Sequence, residues 1–232
     1  MKQSPESKLV YSDTIGECWL NCMQKVIQNG VIHHDEDIDI YEIIGLTIEI
    51  SKPLCHDEII FKFGDPVVIA RTLKKFSKGV KMPDRPFTYG AQIFDNFGID
   101  QFEWLVERLQ SKREAKSATF GLLAPGNQSP NLPCLTTVDA KIRKEKLELQ
   151  FFFRSQNVFG RQYANFLALA KLQADIAARC SVATGGMRGY IASAHIYAFD
   201  MAEAQRIISG ESLSIHDKYY SEGPQSIRVN NH

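Results

Sequence analysis

The sequence predicts one domain of mixed α and β structure, and three observations carry that prediction. Its 232 residues are 44% hydrophobic, which is enough to enclose a single core. Several stretches have helical spacing with capping residues at their ends, and others alternate apolar and polar residues as strands do. No repeat or linker interrupts the chain, so we expect a single domain over residues 1–232, with loose ends at 1–8 and 220–232.

Helices are predicted where both ends are marked. In the first, Thr14 and Glu17 form a capping box and Gly30 ends the helix. Three others carry similar signals: Asp65 with Pro66 before Gly79, Asp100 with Glu103, and Asp200 with Glu203 before Gly210. A further helix over 163–181 has Ala and Leu on several faces, which is typical of a buried helix.

Strands are predicted where apolar and β-branched residues alternate. They cover 40–50, 134–143, 147–155 and 189–199. A charged turn at Lys144 and Glu145 joins the second and third of these, so we expect a hairpin. Its second strand has one apolar face, made by Leu147, Leu149, Phe151 and Phe153, whereas Arg154 points to the other face.

The composition excludes some classes of partner. Lys and Arg together number 27, as do Asp and Glu, so no general attraction to nucleic acid or to acidic membranes is expected. No apolar run reaches the length of about 18 residues that spans a bilayer, and the first residues lack a signal-peptide core. We therefore expect a cytoplasmic protein.

The five cysteines have neither disulfide nor zinc-finger spacing. Cys18, Cys22 and Cys180 lie on apolar helix stripes and are interpreted as core residues. The segment "HHDEDID", which begins at His33, could offer ligands to a metal, but it has no defined ligand spacing. We interpret it as a solvated loop and expect no metal site.

Cys134 follows a proline, and Arg154 lies about twenty residues later. In the predicted hairpin both residues lie near the open end of paired strands. A nearby guanidinium stabilises a thiolate, so this pair could provide a nucleophile. The pair alone is equally compatible with ordinary core packing. This observation therefore does not decide between a nucleophilic cysteine and a core cysteine.

The order of several motifs resembles the thymidylate synthase family, especially its short archaeal-type members. In chain order they are "FTYG", the "DQ" at Asp100, "EAKSAT", "LPCL", "FRSQNVFGRQYAN" and "SAHIY", which together span roughly residues 87–200. The resemblance implies an α+β fold with a large twisted mixed β-sheet flanked by helices. It also implies a homodimer formed through that sheet.

The resemblance implies a role for each matched residue. Cys134 matches the nucleophile that adds to C6 of the pyrimidine, with Tyr89 and Glu58 as proton-transfer residues; Asp57 is a rival to Glu58. Nucleotide binding is implied for Arg154 and Ser155 at the phosphate, Asn165 at the uracil edge, and His195 with Tyr197 at the sugar hydroxyl. Asn165 favours uracil because a carboxamide can donate to O4 and accept from N3–H.

Some positions depart from the family pattern. Lys116 and Ser117 stand where members have two arginines that reach the partner subunit's phosphate site, and no phosphate-loop arginine occurs in "HHDEDIDIYEI". Asn157 stands where members have an aspartate that contacts the pterin, and it weakens that contact unless it presents its oxygen. Leu135 replaces a histidine of many bacterial members.

The resemblance implies transfer of a one-carbon unit from 5,10-methylenetetrahydrofolate to C5 of a uridine nucleotide, most simply dUMP to dTMP. The altered phosphate and pterin positions keep two alternatives open. One is a pyrimidine nucleotide 5-hydroxymethylase acting on dUMP, UMP, dCMP or CMP. The other is a homologue that binds a nucleotide or a protein partner without catalysis.

Overall fold

The computed structural model describes residues 8–35, 37–82, 88–123 and 132–212. Within these ranges the chain forms eight strands, seven α-helices and a 3-10 turn at Ala198–Asp200. The strands are β1 Leu9–Ser12, β2 Val31–Asp35, β3 Ile38–Ile50, β4 Thr119–Gly121, β5 Leu135–Arg143, β6 Lys146–Phe153, β7 Gln156–Asn157 and β8 Ala183–Tyr197. The helices are α1 Ile15–Asn29, α2 Glu58–Phe63, α3 Pro66–Phe76, α4 Tyr89–Phe94, α5 Gln101–Ser111, α6 Gln162–Arg179 and α7 Met201–Ser209. The loose ends expected at 1–8 and 220–232 fall outside these ranges except for Lys8.

All eight described strands belong to one mixed sheet in the order β1-β3-β8-β6-β5-β4, with β2 beside β3 and β7 beside β8. The pairs β1–β3, β6–β8 and β7–β8 are parallel, and the others are antiparallel. The expectation of an α+β fold built on a large mixed sheet is therefore confirmed. The end of β8 carries His195 and Tyr197, and His195 lies there between β3 and β7.

The core lies between one face of this sheet and the helices. In β6 the predicted apolar residues Leu147, Leu149, Phe151 and Phe153 are all buried. The Phe151 and Phe153 rings contact the ring of Phe166 on α6, with centroid distances of 5.1 and 6.2 Å. Helix α6 is buried on several faces, as its composition predicts, because it packs across the middle of the sheet.

The first helix begins and ends as predicted. The Thr14 side chain accepts from the backbone N–H of Glu17, the Glu17 carboxylate bonds back to the backbone of Thr14, and Gly30 caps the last turn. Cys18 and Cys22 are fully buried on its inner face, in agreement with their assignment to the core. This capping satisfies amide groups that would otherwise have no partner.

The end of α3 differs from the prediction. Asp65 caps the helix and Pro66 is its first residue, as expected, but the helix ends at Phe76 with Ser77 as the cap. Gly79 was predicted to end it and lies two residues farther on, in a turn with φ +72°. The Ser77 hydroxyl donates to the Leu73 carbonyl, which satisfies that acceptor before the glycine is reached.

The predicted first and last residues of the later helices are confirmed in part. Asp100 caps α5 by accepting from Glu103 N–H at 3.0 Å, whereas the Glu103 carboxylate binds Arg179 and does not complete a capping box. Asp200 precedes α7 without capping it through its side chain. Gly210 ends α7 in the left-handed region, as the sequence predicts.

The prediction of a loop at "HHDEDID" is wrong. Residues Val31–Asp35 form β2, which pairs with β3 from Val31 opposite Glu42 to Asp35 opposite Ile38. Strand β1 pairs with β3 only over 47–50, so the same edge of β3 is open for β2 farther along. The residues of β2 are exposed, in agreement with the solvated environment that was expected.

Two further properties concern the described part of the chain. No helix in it is long and apolar enough to cross a bilayer. No group of three or more metal-ligating side chains comes together among the described residues, and the residues of the β2–β3 hairpin form pairs instead, such as His34 with Asp39.

Candidate active site

Cys134 and Arg154 are brought together by the β5–β6 hairpin. Cys134 comes directly before β5 and Arg154 directly after β6, and the two strands are antiparallel. The backbone N–H of Arg154 donates to the Cys134 carbonyl at 2.8 Å. The Cys134 side chain is half-buried against the edge of the core, so the thiol is neither sealed in the interior nor fully exposed.

The Arg154 guanidinium holds the segment that leads to the cysteine. Its Nε donates to the Pro133 carbonyl at 3.1 Å and its Nη2 to the Leu132 carbonyl at 2.6 Å. These bonds use two of the five guanidinium N–H groups. The positive charge therefore lies beside the backbone of the two residues that precede Cys134.

His195 lies near the end of β8 and faces Ser155. Its Nδ1 is 3.5 Å from the hydroxyls of both Ser155 and Ser193. Burial lowers the pKa of His195, although the hydrogen bond that the imidazole donates to the Ser193 backbone and the charges of Glu42 and Asp35 act in the opposite direction. A neutral imidazole at neutral pH follows, and such a ring can donate from one nitrogen and accept at the other.

Tyr197 lies beside His195, with ring centroids 5.4 Å apart in an edge-to-face arrangement. Burial is the main cause that raises the pKa of Tyr197, followed by the charges of Asp35 and Cys134. The charge of Arg161 lowers it. Tyr197 is the last residue of β8 and lies opposite Ile40 of β3.

Asn165 lies in the first turn of α6 and is half-buried. Its Nδ2 donates to Oε1 of Gln156 at 3.1 Å, and Gln156 Nε2 donates in turn to the backbone carbonyl of Asn157 at 3.1 Å. Strand β7 places Gln156 beside Ala194 of β8. Asn165 is thereby connected to the same end of the sheet as His195.

The side chain of Asn157 is used within its own turn. Its Oδ1 accepts from the backbone N–H of Gly160 at 2.7 Å. The amide oxygen is therefore directed toward the turn, and the NH2 group is the part of the side chain that remains for other contacts. A Cβ on Gly160 would lie 3.3 Å from Asn157 Nδ2, so the turn fits closely around the amide.

Tyr89 reaches the residue that follows the cysteine. Its hydroxyl accepts from the backbone N–H of Leu135 at 3.3 Å, and its ring packs on Phe76 with centroids 4.6 Å apart. Tyr89 is the first residue of α4, whose cap Thr88 accepts from Ala91 N–H. The phenol of Tyr89 is thus held one residue away from Cys134.

The two acidic residues that compete for the proton-transfer role have different environments. Asp57 caps α2 and accepts from the N–H groups of Ile59, Ile60 and Gly16, the last at 2.7 Å. Both of its carboxylate oxygens are used in these structural bonds. Glu58 is exposed at the first position of α2, so it is the carboxylate of the pair that can move.

Lys116 does not lie beside Cys134 in this chain. Strand β4 begins three residues after it, with Thr119 opposite Asp139. Asp139 lies five residues after Cys134, which is about 17 Å along an extended strand. Ser117 accepts from Arg108 Nε at 2.8 Å, so this segment is bound to α5.

Three residues near the site were not predicted to take part in it. Gln156 accepts a hydrogen bond from Asn165. Burial raises the pKa of Tyr197 and of Asp200, and the positive charge of Arg161 opposes that rise in both. The negative charge of Asp35 acts to raise the pKa of His195 and of Tyr197. Gln156 and Arg161 lie inside the "FRSQNVFGRQYAN" motif, so the sequence motif could have identified them as site residues. Asp35 has no such signal, because its position depends on the pairing of β2.

The α+β fold carries a thiol, a guanidinium, a carboxamide and an imidazole toward the same end of its sheet, and these are groups that nucleophilic transfer chemistry can use. The model of the thymidylate synthase family matches residues 71–217, which is more than half of the chain. The chain belongs to the thymidylate synthase family.

Archaeal relatives extend this similarity over more of the chain. A protein of Methanothermobacter marburgensis named "Putative thymidylate synthase" is 28% identical over 213 residues, which cover 84% of this chain and 96% of that protein. One of the same name from Methanococcoides burtonii is 27% identical over 207 residues, covering 88% and 95%. Another, from Methanopyrus kandleri, is 32% identical over 120 residues, covering 50% and 57%.

Proposed function

We propose that the protein transfers a one-carbon unit from methylenetetrahydrofolate to C5 of a uridine nucleotide, most simply converting dUMP to dTMP. The observation that carries the proposal is the Arg154 guanidinium beside the segment that leads to the half-buried Cys134. Family membership supports the reaction type. The folate supplies the carbon and the hydride that reduces it to a methyl group.

In this proposal the Cys134 thiolate adds to C6 of the pyrimidine, and the electron pair of the C5–C6 double bond moves to C5 and O4. C5 can then bond to the one-carbon unit and lose its proton, and cleavage of the bond from that carbon to the folate nitrogen leaves an exocyclic methylene. Hydride from the tetrahydrofolate would add to this methylene as the C6–S bond breaks, which gives the 5-methyl pyrimidine, dihydrofolate and the free thiolate. Covalent addition divides one difficult substitution into easier steps. Tyr89 and Glu58 are proposed to move the protons, with Tyr89 one residue from the thiol.

Asn165 is proposed to bind the uracil edge. One of its two N–H groups binds Gln156, which leaves the second N–H for uracil O4 and the oxygen for N3–H. His195 and Tyr197 are proposed to bind the sugar hydroxyl, and the neutral imidazole suits a hydroxyl because it can donate or accept. Ser155 and the N–H groups of Arg154 that do not bind Leu132 or Pro133 would hold the phosphate.

A homodimer is part of the proposal, with Lys116 of each subunit serving the site of the other. The face of the sheet that points away from the helices has exposed apolar residues. Phe152 on β6 and Tyr190 on β8 are stacked with centroids 5.5 Å apart, and Ile44 on β3 is 57% exposed. A second copy packed on this face would bury these side chains.

Release of tritium from C5-labelled dUMP, UMP, dCMP and CMP in the presence of methylenetetrahydrofolate tests the proposal. We expect release from a uridine nucleotide and its loss in Cys134→Ser. Cys55→Ser is the matched control, because Cys55 is another free thiol that solvent reaches but lies in the segment before α2. No release from any of the four, together with tight nucleotide binding by calorimetry, would instead indicate a non-catalytic homologue.

A 5-hydroxymethylase is the second candidate, and the turn at Asn157 favours it. Because Oδ1 of Asn157 accepts from Gly160 N–H, the side chain does not offer a pterin the acceptor that an aspartate would. A folate held less firmly would expose the exocyclic methylene to water before hydride transfer. Mass spectrometry of the product separates the two reactions by one oxygen atom.

A further inference from the structure

Gln156 and Asn165 form a directed chain of two carboxamides. Gln156 is 2% exposed, and its Nε2 donates to the backbone carbonyl of Asn157 at 3.1 Å. A carbonyl oxygen can only accept, so the NH2 end of Gln156 must face it. The Oε1 end of Gln156 consequently faces Asn165.

The direction of Gln156 determines the direction of Asn165. Gln156 Oε1 accepts from Asn165 Nδ2 at 3.1 Å. If the Asn165 carboxamide were rotated by half a turn, its oxygen would face the oxygen of Gln156, and a buried acceptor would lose its donor. The Asn165 oxygen is therefore held on the side away from Gln156, together with one remaining N–H.

Uracil and cytosine need opposite orientations of such a carboxamide. Uracil presents a donor at N3–H and an acceptor at O4, whereas cytosine presents an acceptor at N3 and a donor at its 4-amino group. An asparagine that can rotate would bind either base, because rotation exchanges its donor and acceptor. An asparagine held in one orientation binds only the base that matches it.

We propose that Gln156 is the residue that makes the site selective for uracil over cytosine, by holding the Asn165 carboxamide in one orientation. This inference rests on the proposed function, since it takes Asn165 as the residue that binds the pyrimidine edge. Gln156 is a positioning residue, because it acts through Asn165 and makes its own contacts to Asn165 and to the protein backbone.

Gln156→Met tests this role, because methionine keeps nearly the same volume but removes both hydrogen-bonding groups. The dissociation constants of dUMP and dCMP are measured by calorimetry, so the test needs no turnover. We expect dCMP to bind more tightly and dUMP less tightly than in the unchanged protein. The preference for dUMP should fall by about 10- to 100-fold, which is the range for losing one buried hydrogen-bond partner.

Two further variants separate orientation from packing. Gln156→Glu keeps an acceptor toward Asn165, and its protonated form also donates to the Asn157 carbonyl, so the preference for dUMP should return. Gln162→Met is the matched control, because Gln162 is a fully buried glutamine at the start of α6 whose side chain lies against Cys18. It should leave the preference unchanged.

The outcomes distinguish the two proposals. Equal weakening of dUMP and dCMP in Gln156→Met, with the preference unchanged, would mean that Gln156 serves packing alone and would overturn the inference. A protein without a preference between dUMP and dCMP would also overturn it and would leave the proposed reaction standing. A protein that binds none of dUMP, UMP, dCMP and CMP would refute the proposed function itself.

Discussion

Gly189 on the central strand β8 provides a sharp test of how the sheet is packed. A Cβ placed there would lie 2.0 Å from Cε2 and 2.2 Å from Cζ of Phe151 on the neighbouring strand. Carbon atoms in ordinary contact are about 3.5–4.0 Å apart. In Gly189→Ala the ring or the strand must therefore move by about 1.5 Å.

Phe151 has little freedom to make that movement. It is 5% exposed, and its ring contacts the rings of Phe153 and Phe166 with centroids 5.6 and 5.1 Å away. Overpacking of a well-filled core costs about 1–3 kcal/mol and occasionally more. We place Gly189→Ala at the upper end of this range, at about 3 kcal/mol.

Urea unfolding measures this cost as a lower midpoint with the same m-value. Gly121→Ala is the matched control, because Gly121 also lies in a strand and a Cβ there has no neighbour closer than 3.9 Å. Phe151→Leu in the Gly189→Ala protein should recover part of the loss, since the smaller side chain makes room. Equal effects of Gly189→Ala and Gly121→Ala would refute the reasoning.

Three further predictions concern residues at or near the site. Asp57→Ala should lower the free energy of unfolding by about 2–4 kcal/mol because it removes the acceptor of three N–H groups, including buried Gly16. Exposed Glu58→Ala should change stability by less than about 0.5 kcal/mol yet reduce tritium release, and an unchanged release rate would remove Glu58 from the mechanism. For His195, burial lowers the pKa in the folded protein, so below the ordinary value near 6.5 the unfolded chain binds more protons. Stability should fall as the pH drops from that value through the lowered one, and thermal unfolding of His195→Asn should show a shallower pH dependence; an equal slope would contradict this assignment.

Much of the fold could be predicted because its signals are local. Thr14 and Glu17 are three residues apart, so the capping box can be identified in the sequence and is present in the structure. The alternation from Leu147 to Phe153 likewise gives the buried face of β6 directly. Gly79 shows the limit of such signals, because a hydroxyl two residues earlier satisfied the helix end first.

The residues of the candidate site were predicted from the order of the sequence motifs. Their positions relative to one another depend on how the strands pair in the sheet. Cys134 and Arg154 belong to one hairpin, so their proximity could be inferred from the turn between them. Asp35 could not be placed in this way, because its position depends on the edge of β3 that β1 leaves open.

The sequence by itself determined both ends of α1, the start of α3, the apolar face of β6 and the residue types available for chemistry, because caps and periodicity act over a few neighbouring residues. The tertiary structure alone decided that Asp57 binds Gly16, 41 residues away in the chain, and that Gln156 directs the carboxamide of Asn165. The direction of a hydrogen bond depends on which groups face each other across packed elements, and that is fixed only when the sheet and its helices are assembled.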